Sequence, residues 1–154
     1  MIQSQPRKSV QMNRVIYFLL FFVFAACNPS KKSTEPDLAS RLSVAEQKWQ
    51  DAKIKNYSFT YDTGGFVSPV HYILTVKDGA VADAKSTDHG ITQAADTANK
   101  PTVESLFAEV QKAVSYQATS NVTATFGDSR GFPTKLIIAG GETIEWTVTN
   151  FVVN

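Results

Sequence analysis

Two stretches of the chain carry apolar residues at intervals of three or four, the spacing of one face of an α-helix. In the first stretch, which runs from Leu38 to Ile54, these residues are Leu38, Leu42, Ala45, Trp49 and Ala52. The second stretch follows Pro101, with Thr102 placed to cap a helix and Glu104 in its first turn. Its apolar residues are Val103, Leu106, Phe107, Val110 and Val114. The pattern predicts two amphipathic helices, each with one face to bury.

Six other stretches alternate apolar and polar residues, which is typical of half-buried β-strands. They are YSFTYD from Tyr57, VHYILTV from Val70, AVADAKS from Ala80, NVTATFG from Asn121, TKLIIAG from Thr134 and TIEWTVTNFVV from Thr143. Asp78-Gly79 predicts a hairpin between the second and third, because both residues tolerate a positive φ. In the last stretch, Ile144, Trp146 and Val148 are predicted to point inward. Residues 86–100 are polar without clear periodicity, and no element is predicted there.

The predicted order of elements is therefore α-β-β-β-α-β-β-β. A chain of this kind packs both helices on one face of an antiparallel sheet, so residues 38–154 are predicted to form a single α+β domain. Trp49 and Trp146 both fall on apolar stripes, and we expect both in the core.

The opposite side of the predicted sheet is polar and rich in hydroxyl groups. Two interpretations remain open for this surface, which we name the threonine-rich face. It can be an ordinary solvated face, since threonine has a good β propensity, or it can be a recognition surface for a protein partner. Its predicted members are Ser58, Thr60, His71, Thr75, Thr123, Thr125, Lys135, Thr143, Glu145, Thr147 and Thr149.

The N-terminal part of the chain has the features of an export signal. Residues 15–27, VIYFLLFFVFAAC, form an apolar run that is too short to cross a bilayer, which needs about 20 residues as a helix. Basic residues and no acidic ones precede the run, and Ala25 and Ala26 end it with small side chains, as at a signal-peptidase site.

Phe24-Ala25-Ala26-Cys27 resembles a bacterial lipobox, in which the cysteine receives a diacylglycerol thioether and becomes the mature N-terminus. The resemblance implies a signal peptide at 1–26, a lipid-anchored linker at 27–37 and attachment of Cys27 to membrane lipid. Asn28 after the cysteine favours the outer membrane, facing the periplasm. A nucleophilic role for Cys27 would require a partner base, and the nearest histidine, His71, lies far along the chain.

Removing the signal changes the charge of the protein. Residues 1–26 contain Arg7, Lys8 and Arg14 and no acid, which leaves 12 basic against 14 acidic side chains, a net charge of −2. Nucleic-acid binding requires a clustered basic surface, and we expect none. With Cys27 acylated, no cysteine remains for a disulfide or a thiolate metal site.

Candidate catalytic chemistry is sparse. No phosphate-binding loop, serine nucleophile elbow or paired-histidine metal motif is present, so we expect neither enzymatic activity nor a cofactor. His71 is predicted to point away from the core. We therefore expect a membrane-anchored lipoprotein whose domain serves as a binding or envelope-support module. The alternative is a periplasmic enzyme or metal-binding protein with a site around His89, which has Asp88 beside it and Asp83 and Asp96 near in sequence.

A set of short motifs in a fixed order carries a family resemblance. After Trp49 come NYSFTY, VKDGAV, PTVESLF, VTATFG and GFP. The set is similar to a family of small exported bacterial proteins, domain of unknown function six-one-seven-four. The resemblance covers about Ala45 to Val152. It implies the fold and an exported location, and it implies no activity, because the family is uncharacterised.

Overall fold

Two helices and seven strands make up the part of the chain described by the computed structural model, which covers residues 36–65, 68–88, 90–116, 121–127 and 129–154. All of these residues lie within one compact unit. The elements in chain order are α1 (Leu38–Ala52), β1 (Tyr57–Gly65), β2 (Val70–Lys77), β3 (Ala80–Asp88), β4 (Ile91–Ala94), α2 (Val103–Val114), β5 (Asn121–Phe126), β6 (Pro133–Ala139) and β7 (Ile144–Val153). The predicted α+β class with two helices and an antiparallel sheet is confirmed, with β4 as an additional strand.

The strands form one antiparallel sheet in the order β4-β3-β2-β1-β7-β6-β5. Two meanders, β1 to β4 and β5 to β7, therefore meet where the first strand pairs with the last. The hairpin predicted at Asp78-Gly79 is confirmed, since both residues have a positive φ, 51° and 80°.

Both helices begin at side-chain caps. The Asp37 carboxylate accepts a hydrogen bond from the Ser40 backbone N–H at 2.7 Å, which lowers the pKa of that carboxyl. Thr102 caps α2 as predicted, in a reciprocal box with Ser105 whose two bonds measure 3.3 and 2.9 Å. The predicted apolar stripes are buried except at Ala52, which is exposed, and Val114, which is half-buried.

The two tryptophans are core residues, as predicted. Trp49 is 5% exposed and Trp146 is 2% exposed. The Trp49 ring meets Tyr57 edge-on, with centroids 5.4 Å apart, and the Trp146 ring packs on Tyr61 at 6.3 Å. Aromatic pairs of this kind add to the stabilisation that area burial alone gives. They connect α1 to β1, and β1 to β7 where the two halves of the sheet meet.

A β-bulge changes the direction of side chains near the end of β7. Ser58 pairs with Val152 but Thr60 pairs with Thr149, so β7 has one extra residue there. Asn150 occupies it with φ 52°. The strict alternation expected along this strand therefore ends at Asn150, and Phe151 turns inward to stack on Phe132 at 4.1 Å. At the other end of β7, Ile144 alternates with Trp146 as predicted but is 45% exposed, so this first residue of the strand is not part of the core.

The passage 86–100, for which no element was predicted, holds the end of β3 and all of β4. All four β4 residues are exposed. Since the strand buries no face, its sequence lacks the alternation of apolar and polar residues that would predict it. Beyond β4, the Ala95 N–H donates to the Ala84 carbonyl at 2.8 Å. The Lys100 ammonium lies 4.6 Å from the centre of the Tyr72 ring. This segment thus covers part of the sheet on the helix side.

Candidate functional site

The sheet register brings His71 and Lys135 of the threonine-rich face into one row with Asp62, which was not among its predicted members. Asp62 on β1 lies opposite His71 on β2 and opposite Thr147 on β7. Thr147 lies opposite Lys135 on β6, which in turn lies opposite Thr125 on β5. Five strands, two from the first meander and three from the second, therefore supply neighbouring side chains across the middle of the face that the helices do not cover.

Most predicted members of the threonine-rich face are exposed or half-buried. Thr60 differs, since it is only 5% exposed and its hydroxyl accepts a hydrogen bond from the Asn150 side-chain amide at 3.3 Å. Thr143 lies just before β7. Apolar side chains also occupy this face, among them Ile73 at 40% exposure, Val152 at 54% and the half-buried Ile137. Val152 was not predicted here, because the Asn150 bulge places it on this side of the sheet.

Two ion pairs flank the centre of the face. The His71 imidazole contacts Asp62 through Nδ1 and Oδ1, and Lys135 Nζ lies 2.7 Å from Glu145 Oε1. The four side chains are between 34% and 42% exposed. Exposed pairs of this kind contribute about 0–1 kcal/mol to stability. Their main effect is therefore on the charge pattern that the face presents.

A shallow recess lies between the two pairs. We name it the Gly64 recess; it has a volume of about 160 Å³ and is lined by Asp62, Thr63, Gly64, Glu145 and Thr147. Gly64 is paired with Glu145 across the β1–β7 ladder. A Cβ added at Gly64 would have no atom within 4 Å, so the missing side chain leaves this space open.

On the helix side of the sheet, a carboxylate joins both helices to β1. Glu104 accepts hydrogen bonds from the Trp49 indole and the Tyr57 hydroxyl, each at 3.1 Å. The Tyr57 hydroxyl also accepts from the Val103 backbone N–H at 2.9 Å. Burial raises the pKa of Tyr57 well above its usual range, with a smaller contribution from the Glu104 charge. Sequence reasoning identified Glu104 only as a first-turn acid, because its partners come from elsewhere in the fold.

A second carboxylate on α2 lies near the other tryptophan. Burial raises the pKa of the Glu109 carboxyl, and the nearby Trp146 indole and Lys112 oppose this shift. The Trp146 Nε1 is buried and does not reach hydrogen-bond geometry with any described residue. Burial also raises the pKa of Tyr61, with the Glu109 charge as the lesser cause. Glu109 as a whole is exposed. Its carboxylate is nevertheless partly removed from water, near Trp146 and Tyr61.

A groove of about 720 Å³ runs between α1 and the edge strand β5. Val44, which is 59% exposed, lines it beside Arg41 and Lys48. The Arg41 guanidinium donates to the Ala124 carbonyl of β5 at 2.6 Å. This contact occupies a carbonyl of the edge strand and so makes that edge less available for pairing with another chain.

Two predicted site residues, Cys27 and His89, lie outside the described residues, together with the predicted signal peptide and most of the linker. Of the acids near His89 in sequence, Asp83 is 3.9 Å from Lys85, and Asp96 accepts from the Ala98 N–H at 3.0 Å. Within the described ranges, no three His, Cys, Asp or Glu side chains are grouped closely enough to hold a metal ion. The metal and enzyme alternatives at His89 stay predictions.

Comparison with protein families finds one match, which covers residues 41–153 and is described as a family of unknown function, DUF6174. The chain belongs to the DUF6174 family. The resemblance predicted from the short motifs, over about Ala45 to Val152, is confirmed. No curated protein matches the chain.

The DUF6174 match covers the helices and the whole sheet apart from the first three residues of α1. The row from His71 to Thr125 and the Gly64 recess thus belong to the family domain of this chain. Membership carries no activity with it. Neither helix of the described part is long and apolar enough to span a membrane.

Proposed function

We propose that this DUF6174 protein is a lipoprotein of the bacterial cell envelope, acylated at Cys27 and anchored by it to the outer membrane, facing the periplasm. Its folded domain acts as a binding module for another envelope protein. The anchor is supported by the basic flank, the short apolar run and the Ala25-Ala26-Cys27 ending. The binding role rests on the structure of the threonine-rich face.

The observation that carries the binding proposal is the asymmetry of the sheet. One face is sealed by α1 and α2 over a core of aromatic side chains. The other holds the row from His71 to Thr125 and exposes two apolar side chains, Ile73 and Val152. Protein interfaces depend on a few side chains near their centre, surrounded by a polar rim that contributes little, and on this face the exposed Ile73 and the row would supply that centre.

Strand backbone makes this surface rigid. Each side chain in the row stands on a strand that is paired on both sides, except Thr125 on the edge strand β5. A surface with fixed side-chain positions costs little ordering entropy when a partner binds. The face can therefore recognise a partner without rearrangement of the domain.

The experiment compares substitutions on the two sides of the sheet. The full chain, expressed with its signal in bacteria, is crosslinked in intact envelopes and its adducts are separated by mass. Thr123→Lys with Thr149→Lys changes two exposed positions of the threonine-rich face. Ala108→Lys changes an exposed position of α2 and is the matched control, since lysine is a good helix former.

We expect the double variant to lose the crosslinked species that the unaltered chain gives, whereas the Ala108 variant keeps them. All three proteins should be exported in equal amounts, with the same melting temperature within a few degrees. Adducts that survive the double substitution and disappear with Ala108→Lys would place the partner on the helices and refute the proposed role of the face.

A further inference from the structure

We propose that the Gly64 recess binds the cationic end of one basic side chain, the guanidinium of an arginine or the ammonium of a lysine, presented by the protein partner. This inference rests on the proposed function, since it names the chemistry of the partner at the centre of the threonine-rich face. It follows from the shape of the recess and from the acceptors that line it.

The size of the recess matches a side-chain end better than a free small molecule. Sites for drug-sized ligands and cofactors are about 300–1,000 Å³ and enclose most of the ligand. The Gly64 recess measures about 160 Å³ and opens on the sheet surface. Glycine keeps it open, because a Cβ at position 64 would have no other atom within 4 Å and a side chain there would extend into this space. A single protruding group of a docked partner can enter such a space.

The acceptors that remain in the recess favour a donor-rich cation. His71 contacts only Oδ1 of Asp62, and Lys135 contacts only Oε1 of Glu145. The second oxygen of each carboxylate and the Thr147 hydroxyl have no hydrogen-bond partner in the described part of the chain. Two carboxylate oxygens repel an anion, whereas a guanidinium offers five N–H donors in one plane. Charge complementarity thus selects a basic group.

The flanking bases hold the carboxylates in place. His71 and Lys135 lie on opposite sides of the recess, on β2 and β6, and each contacts one oxygen of one acid. Acceptors fixed before binding lose less side-chain entropy when the cation arrives. Arginine is also among the residues that most often dominate the energy of a protein interface.

The test uses a defined probe and the full chain purified in detergent. The probe is the blocked peptide acetyl-Gly-Arg-Gly-amide, and its control is the citrulline peptide, which has nearly the same shape without the charge. Binding is followed by amide chemical shifts in NMR spectra of labelled protein at millimolar peptide. We expect saturable shifts at residues 62–64 and 145–147 with the arginine peptide, weakened by salt, and none with citrulline.

Two glycine variants complete the test. Gly64→Val places a side chain in the recess at a strand position where an added Cβ has no atom within 4 Å, and Gly141→Val adds the same side chain at a turn position where a Cβ is equally free. We expect the first to abolish the arginine-dependent shifts with an unchanged fold, and the second to leave them intact. Equal shifts with both peptides, shifts elsewhere on the domain, or no shifts with the arginine peptide would each overturn the inference.

The inference and the proposed function can fail separately. If envelope crosslinks depend on Thr123 and Thr149 but Gly64→Val leaves them unchanged, the face binds a partner and the recess does not receive its basic side chain. If the arginine peptide binds at the recess while the crosslinks map to the helices, the recess is a cation site and the proposed docking face is wrong.

Discussion

The indole N–H of Trp49 donates a hydrogen bond to the carboxylate of Glu104, across 3.1 Å and 55 residues of sequence. The bond connects the two helices directly. The same carboxylate accepts from the hydroxyl of Tyr57, which is fully buried on β1. One acid at the start of α2 thus satisfies two donors of the core and fixes the helix layer on the sheet.

Removing this carboxylate should destabilise the fold. In Glu104→Ala the Trp49 and Tyr57 donors lose their acceptor, and a buried unsatisfied donor costs about 1–3 kcal/mol. Glu104→Gln keeps one oxygen that can accept a hydrogen bond, so this variant should lose less stability. Urea unfolding followed by tryptophan fluorescence measures both. Glu142→Ala, at an exposed turn, is the control and should change stability by less than about 0.5 kcal/mol. An equal loss of stability in Glu104→Ala and in the control would show that these hydrogen bonds do not stabilise the fold.

The raised pKa of Glu109 predicts that the unaltered protein and the variant Glu109→Gln differ in free energy of unfolding by an amount that depends on pH. Burial makes the folded state hold this proton to a higher pH than the unfolded chain does. Stability therefore falls as the pH rises from the unfolded pKa through the raised folded pKa, because the folded state binds more protons in that interval. Glu109→Gln cannot ionise. The stability of this variant relative to the unaltered protein should therefore rise across this pH interval and stay constant above it.

The measurement is urea unfolding at several pH values, on the unaltered protein and on Glu109→Gln. Ala108→Gln changes a neighbouring exposed position without removing a titrating group, and its stability difference should stay constant. A Glu109→Gln difference that is equally flat would contradict a desolvated carboxylate at this position.

The bulge at Asn150 predicts that the stability of the protein falls from asparagine to glycine to valine at this position. Asparagine and glycine tolerate the positive φ found there, whereas a β-branched residue in such a conformation costs about 1–3 kcal/mol. Asn150→Val should therefore destabilise the protein more than Asn150→Gly, which loses only the 3.3 Å bond to Thr60. Thermal unfolding by circular dichroism compares them. A valine variant as stable as the glycine variant would mean that the backbone is not held in this conformation.

The sequence predicts local features of this protein well and relations between distant segments poorly. The caps at Thr102 and the hairpin at Asp78-Gly79 depend on a few adjacent residues, and both predictions are confirmed. β4 carries no apolar alternation, because all its residues are exposed. The inward turn of Phe151 breaks the period of two, and Asn150 is the only local signal for it, since asparagine adopts positive φ more readily than most residues.

The candidate site illustrates the same limit. Alternation alone predicts that His71, Lys135, Glu145 and Thr147 share a face. Their arrangement around Asp62 and Gly64 depends on the pairing of β1 with β7, the first and last strands of the sheet. That register follows from packing of the whole core, so neither the two ion pairs nor the recess could be derived from periodicity.

The anchor has its own prediction. Cys27→Ser removes the thiol that the lipobox resemblance identifies as the acylation site. We expect the variant to accumulate as an uncleaved precursor that takes up no radioactive palmitate, while the unaltered chain is labelled and shortened. A mature, lipid-free form of the unaltered chain, cut near Ala26, would contradict the lipoprotein assignment.

The most direct test of the account is photo-crosslinking in living bacteria from single positions on the two sides of the sheet. A photoreactive residue replaces Thr149 on the threonine-rich face in one strain and Ala108 on α2 in another; both positions are exposed. A binding role for the threonine-rich face predicts a discrete protein adduct from position 149 and none from position 108. Adducts from position 108 alone, or the same adducts from both positions, would contradict a binding role for the threonine-rich face.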